Sequence, residues 1–206
     1  MLLGNYIKVF DNMLPPAFCN QVMNRYEETK NKVRDWRLDL PLEAGYDLTT
    51  VSTCLDVNLN RYHDLWGDLE SQLLEYFRIG IHAYMNKCPG CHFPIRYAYE
   101  AIRVRKYQPG AEQHFKPHTD TSTLSSSKRF LGAFFYLKDV EEGGETIFPH
   151  INISVKPKRG RMLLFPPYWM YVHAGLVPIS GPKWLVSTYL HHIEGVNELL
   201  AIQEVA

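Results

Sequence analysis

The stretch Ile102-Arg-Val-Arg-Lys-Tyr107 marks where the hydrophobic period of this chain changes from 3.6 towards 2. Ile102, Val104 and Lys106 alternate against Arg103, Arg105 and Tyr107, as the two faces of a strand do. Further strand candidates follow at 129–138, 145–148, 151–156, 161–165, 170–174 and 184–192. They are broken by Gly143-Gly144, Pro149, Lys158-Arg159-Gly160, Pro166-Pro167 and Gly181-Pro182. Short strands between turn signals predict a small antiparallel barrel or sandwich.

Upstream the pattern is helical. Residues 14–33 open with Pro15-Pro16 and place Phe18, Val22, Met23 and Tyr26 three and four apart. Residues 61–86 repeat this with Tyr62, Leu65, Leu69, Leu73, Tyr76, Phe77, Ile81 and Tyr84, one apolar face suited to a flat partner. The fold class expected is mainly β, its core buttressed by these N-terminal helices. Residues 38–60 are turn-rich and predict a lid with one or two short strands, and 196–204 predict a short terminal helix. The chain is expected to be a single domain over 1–206: helical support and lid over 1–96, β core over 97–192, tail over 193–206.

With 22 Lys+Arg against 22 Asp+Glu in 206 residues, the formal charge is zero, which argues against nucleic-acid and anionic-membrane binding. At 46% hydrophobic and 21% charged, the chain can bury a sizeable core. Apolar runs such as Leu131–Leu137 are far shorter than the roughly 18 residues that cross a bilayer. The start of the chain lacks the features of a secretory signal, so a cytoplasmic location is expected. Four cysteines make no disulfide framework at this length, and Cys88-Pro-Gly-Cys91-His92 is read as a turn after a helix in preference to a redox, zinc or haem motif.

Chemistry concentrates in Lys106–Asp120. In an extended segment His118 and Asp120, two apart, offer an imidazole and a carboxylate to one point. A second histidine, His173, lies in the apolar strand Trp169-Met-Tyr-Val-His-Ala-Gly, with Lys183 downstream after Ser180-Gly181-Pro182. Two His and one carboxylate leave about three positions open on an octahedral metal, as in non-haem Fe(II) oxygenases. A lysine inside a barrel is costly unless it meets an anion, and a dicarboxylate co-substrate would supply one.

Four motifs carry a resemblance over roughly residues 99–192: Tyr107-x-Pro-Gly leading to Lys116-Pro-His-Thr-Asp120; Tyr136–Pro149; Lys156–Phe165; and His173-Ala-Gly followed by Lys183-Trp184 and Ser187-Thr188-x-x-His191. The chain resembles the prolyl 4-hydroxylase branch of the Fe(II)/2-oxoglutarate-dependent oxygenases. The resemblance implies a double-stranded β-helix, or jelly roll, and implies His118, Asp120 and His173 as the iron ligands and catalytic centre. It matches Lys183 to the partner of the distal carboxylate of 2-oxoglutarate, and Tyr107, Tyr136 and Thr146 to the same pocket. Arg129, Phe115 and Trp184 match positions near the substrate; Phe115 stands where many relatives carry a tyrosine, and Trp184 packs beside the lysine.

The activity implied is hydroxylation of peptidyl proline, coupled to decarboxylation of 2-oxoglutarate to succinate and CO2, with O2 as oxidant and ascorbate as reductant. Alternatives are the same chemistry on free proline or another small molecule, a nucleic-acid demethylase, and a silent jelly-roll binding module. Of the remaining groups, His114 is expected on an outer strand face, His150 exposed, and His191 facing inward without being a ligand. Lys156, Lys158, Arg159 and Arg161 are expected on a solvated hairpin tip. The run Thr121–Ser127 is expected to order over substrate.

Overall fold

The computed structural model describes residues 2–33, 54–88, 90, 92–110 and 115–193. Most of the expected lid, all of the expected terminal helix, Cys91 and His114 lie outside the described residues.

Two helices, α1 (Pro16–Thr29) and α2 (His63–Lys87), precede most of the strands. Proline in the first turn starts α1, where its missing N–H costs nothing. Phe18, Cys19, Val22 and Tyr26 of α1 and Trp66, Leu69, Leu73, Phe77, Ile81 and Tyr84 of α2 are buried. Arg25 on α1 makes a two-pronged bond to the Asp68 carboxylate on α2, at 2.9 and 3.0 Å. Among the described residues no helix is long and apolar enough to cross a membrane.

The strands are β1 (Lys8–Phe10), β2 (Asp56–Asn58), β3 (Tyr97–Tyr99), β4 (Arg103–Tyr107), β5 (Phe115–His118), β6 (Arg129–Tyr136), β7 (Thr146–Phe148), β8 (Ile153–Val155), β9 (Met162–Phe165), β10 (His173–Gly175) and β11 (Lys183–His192). A seven-stranded sheet runs β1-β9-β6-β11-β4-β2, with β3 paired to the end of β11. A four-stranded sheet runs β5-β10-β7-β8. The 97–192 span is not the whole β core: β1 and β2, from upstream, form the two edges of the larger sheet.

Alternation along the large sheet separates two cores. Leu131, Ala133 and Phe135 of β6, Met162 and Leu164 of β9, and Trp184 and Val186 of β11 pack against the helices. Phe134 and Tyr136, Leu163 and Phe165, and Leu185 and Tyr189 turn the other way into a second cluster with Tyr107, Phe148 and Val155. This second cluster joins the two sheets, with the rings of Phe148 on β7 and Phe165 on β9 5.1 Å apart. The basic hairpin run is partly paired at the surface: Lys158 and Arg161 share Asp11 at 3.2 and 2.7 Å, and Lys156 reaches Glu141 at 3.4 Å.

Candidate metal and co-substrate site

Strands β5 and β10 pair with His118 opposite His173, which brings the imidazole rings to 4.5 Å between centroids. Asp120 follows β5 closely and turns its carboxylate between them. His118 Nε2 lies 3.4 Å from Asp120 Oδ1, and His173 Nε2 lies 3.3 Å from Asp120 Oδ2. The candidate ligand atoms of the three residues all lie within 4.8 Å of one another. Asp120 and His173 side chains are 9% and 5% exposed, and His118 is 34% exposed, so the cluster is reached past His118.

The tautomers follow from the hydrogen bonds. His118 Nδ1–H donates to the Lys116 carbonyl at 2.7 Å and His173 Nδ1–H to the Tyr171 carbonyl at 3.1 Å. Both Nε2 atoms then present lone pairs towards a carboxylate whose buried Oδ2 accepts no hydrogen bond. With both imidazoles neutral, three electron-pair donors confront one another, a donor set that fits a divalent metal. The same conflict shapes proton affinities. Burial would raise the Asp120 carboxyl, but His173 and His118 hold it well below the carboxylate range. Burial lowers the His173 imidazole, whereas at His118 the pull of Asp120 outweighs burial and raises it.

Beyond the cluster, Lys183 opens β11 opposite Tyr107 of β4. Its ammonium lies 5.7 Å from the ring centroids of both Tyr107 and Tyr136, and the Tyr136 hydroxyl donates to Thr146 Oγ1 at 2.7 Å. Lys183, Tyr107, Tyr136 and Thr146 therefore share one buried corner. Burial depresses the lysine to about 8, and among the described residues no ion pair neutralises it. Burial also pushes the Tyr136 phenol well up, so it stays a neutral donor.

The three expected substrate residues are dispersed. Arg129 grips both Glu100 oxygens at 2.6 and 2.7 Å, donates to the Asp120 carbonyl at 2.8 Å, and stacks on Tyr189. Its guanidinium is committed to the backbone that carries Asp120. Phe115 stands on β5 opposite Gly175. Trp184 packs edge-on against Tyr26 and beneath the Lys106 ammonium on the helix side of the sheet, because it is the immediate neighbour of Lys183 and must face the other way.

Sequence reasoning missed the Glu100 clamp on Arg129 and a buried pair on β4: Arg105 bonds Asp56 on β2 at 2.7 Å and donates to Ser187 Oγ on β11 at 3.2 Å. The signal for Arg105 was present, since it shares a strand face with Tyr107. None existed for Glu100.

Residues 102–191 match the model of the 2OG-Fe(II) oxygenase superfamily. A protein of Arabidopsis thaliana carrying the name prolyl 4-hydroxylase 3 is 31% identical over 126 residues, which cover 45% of this chain and 42% of that protein. A mimivirus protein named as a prolyl 4-hydroxylase is 24% identical over 199 residues, covering 88% of this chain and 72% of that one. The chain thus spans less than half the length of the first of these relatives. Among solved structures, a viral collagen prolyl hydroxylase from Paramecium bursaria Chlorella virus-1, as its 2OG complex, aligns with a TM-score of 0.63 at 22% identity, over 91% of this chain and 97% of that one. A Trichoplax adhaerens prolyl hydroxylase in complex with a hypoxia inducible factor peptide aligns with a TM-score of 0.67 at 14% identity, over 91% and 84%. These neighbours share the jelly-roll fold, here with sheets that do not close. Residues 102–191 thus match a 2OG-Fe(II) oxygenase domain, and the relatives that the chain resembles are named as prolyl 4-hydroxylases.

Proposed function

We propose that this chain is a 2-oxoglutarate-dependent dioxygenase that hydroxylates peptidyl proline. One observation carries the reading: two imidazole Nε2 atoms and the Asp120 carboxylate converge on one point, in the same inter-sheet core as a buried lysine that makes no ion pair among the described residues, Glu145 acting on it only at a distance. In this reading His118, Asp120 and His173 hold Fe(II), and Lys183 with Tyr107, Tyr136 and Thr146 holds the 2-oxoglutarate. The bound metal, with 2-oxoglutarate and O2, supplies the oxidising power that converts a C–H bond to an alcohol while 2-oxoglutarate becomes succinate and CO2. The chain's own residues supply position. The Nδ1–H bonds fix both imidazoles, Arg129 fixes the backbone of Asp120, and the Lys183 ammonium orients the distal carboxylate in a corner closed to water. Ascorbate is the expected reductant. A cytoplasmic location is part of this reading. The proline substrate follows the names of the relatives, and zero formal charge gives a nucleic-acid demethylase no support.

The test is anaerobic addition of Fe(II) and then 2-oxoglutarate. A visible metal-to-ligand charge-transfer band is expected in the wild type and absent in His118→Ala, followed by succinate formation on proline peptides in air. A well-folded wild type without the band would overturn the reading.

A further inference from the structure

Lys183 and Tyr107 form the last pair of the β4–β11 ladder, because Lys183 opens β11 and Tyr107 closes β4. The chain turns away on both sides, at Gly181-Pro182 and at Pro109-Gly110. A terminal pair is the least constrained of its ladder, since nothing beyond it holds the strands in register. The Lys183 ammonium must nevertheless stand in one place to meet a carboxylate. On its own face of the sheet it has the Tyr107 and Tyr136 rings for neighbours, and among the described residues no ion pair fixes it.

The constraint lies on the other face. The adjacent pair, Trp184 opposite Lys106, points towards the helices. The Lys106 ammonium lies 5.0 Å from the centre of the Trp184 ring and forms an ion pair with Glu27 on α1, which Lys30 also reaches, at 2.7 Å. The Tyr26 ring meets the indole edge-on at 5.1 Å, and its hydroxyl donates to the Leu55 carbonyl, just before β2, at 3.0 Å. The Lys106 and Glu27 side chains are 20% and 36% exposed, so their attraction is less screened than that of a fully solvated pair. Close packing gives way beside them to a cavity of about 250 Å³, lined by Glu27, Lys30, Leu55, Lys106 and Gln108. An ion pair at the edge of a gap ties the strand end to the helix.

We infer that Lys106, held by Glu27, is a positioning residue for 2-oxoglutarate binding: it fixes the Trp184–Lys106 pair and so holds the Lys183 ammonium, one residue along the strand, where the distal carboxylate arrives. The Lys106 side chain points away from the site, so it acts through Lys183 and touches no reacting atom. This rests on the 2-oxoglutarate reading of Lys183. It adds a route by which α1, upstream of the matched residues 102–191, sets co-substrate affinity.

The experiment compares wild type, Lys106→Met, Lys106→Arg and Glu27→Gln. It titrates each anaerobic Fe(II) protein with 2-oxoglutarate and with 2-oxobutyrate, which offers the same chelating end but no distal carboxylate. Lys106→Met should weaken 2-oxoglutarate about tenfold, as the lost cation–π and ion-pair contacts allow. Binding of 2-oxobutyrate should not move, because it makes no use of Lys183. Succinate formation should show a raised KM for 2-oxoglutarate with kcat unchanged. Lys106→Arg keeps a cation over the indole and should recover most of the affinity, and Glu27→Gln should give a smaller loss confined to 2-oxoglutarate. Wild-type 2-oxoglutarate affinity in Lys106→Met, or an equal loss on both oxo acids, would overturn the inference alone. If Lys106→Met does not fold, Glu27→Gln decides by the same comparison. A well-folded wild type that gives the charge-transfer band with neither oxo acid would overturn the 2-oxoglutarate reading and this inference with it.

Discussion

Burial holds the Lys183 ammonium at about 8 against an ordinary 10.5, so at neutral pH the folded protein carries a charged lysine in an apolar corner. Between pH 8 and 10.5 the unfolded chain binds more protons than the folded one, and stability rises with pH across that window. Below it the burial costs on the order of 3 kcal/mol. Lys183→Met should therefore raise the thermal midpoint at pH 7 while weakening 2-oxoglutarate binding about a hundredfold, measured by thermal melts and fluorescence titration. In the wild type, 2-oxoglutarate affinity should fall as pH rises above about 8, because the free protein then loses the proton that the dianion needs. Arg129 acts one step further out. Arg129→Gln releases the Asp120 carbonyl and the Glu100 carboxylate, and should lower Mn(II) affinity of the metal-free protein by about tenfold in calorimetry. Unchanged affinity would remove Arg129 from the support of Asp120.

At the scale of elements, the β8–β9 turn fastens the N-terminal segment to the core. Gly160 sits at φ 73°, its carbonyl accepts from the N–H groups of Met13 and Leu14 at 2.8 and 3.2 Å, and a Cβ there would lie 2.4 Å from the Leu14 carbonyl oxygen. Backbone cannot yield as a flexible side chain does. Gly160→Ala should cost about 2 kcal/mol in denaturant unfolding, with faster hydrogen exchange at Met13 and Leu14. The long elements were readable because their periods persist: α2 over 25 residues, β6 over 8 and β11 over 10. β1, with 3 residues, is too short for an alternation and exists because β9 offers free backbone groups, whereas β2 falls in the segment expected to hold one or two short strands and β3 at the start of the expected β core.

For the whole molecule, the His118–Asp120–His173 cluster joins two segments of chain far apart in sequence, so an ion bound there should stabilise the native state as a cross-link. Co(II) at a hundredfold excess over its dissociation constant should add about 2.7 kcal/mol, seen as a raised thermal midpoint. Asp120→Ala should abolish that increment.

The residues by themselves determined the fold class and named the candidate donor set. A period of 2 after two amphipathic helices leaves few architectures, and His118-x-Asp120 with His173 is a donor set that local spacing and an apolar strand make visible. The tertiary structure decided what each donor faces. Only the pairing of β5 with β10 sets His118 against His173, only the β4–β11 register sets Lys183 beside Tyr107, and only the approach of Glu100 turns Arg129 into a brace for Asp120. Those contacts join residues separated by tens of positions, where the chain's covalent geometry carries no information and long-range strand pairing supplies all of it.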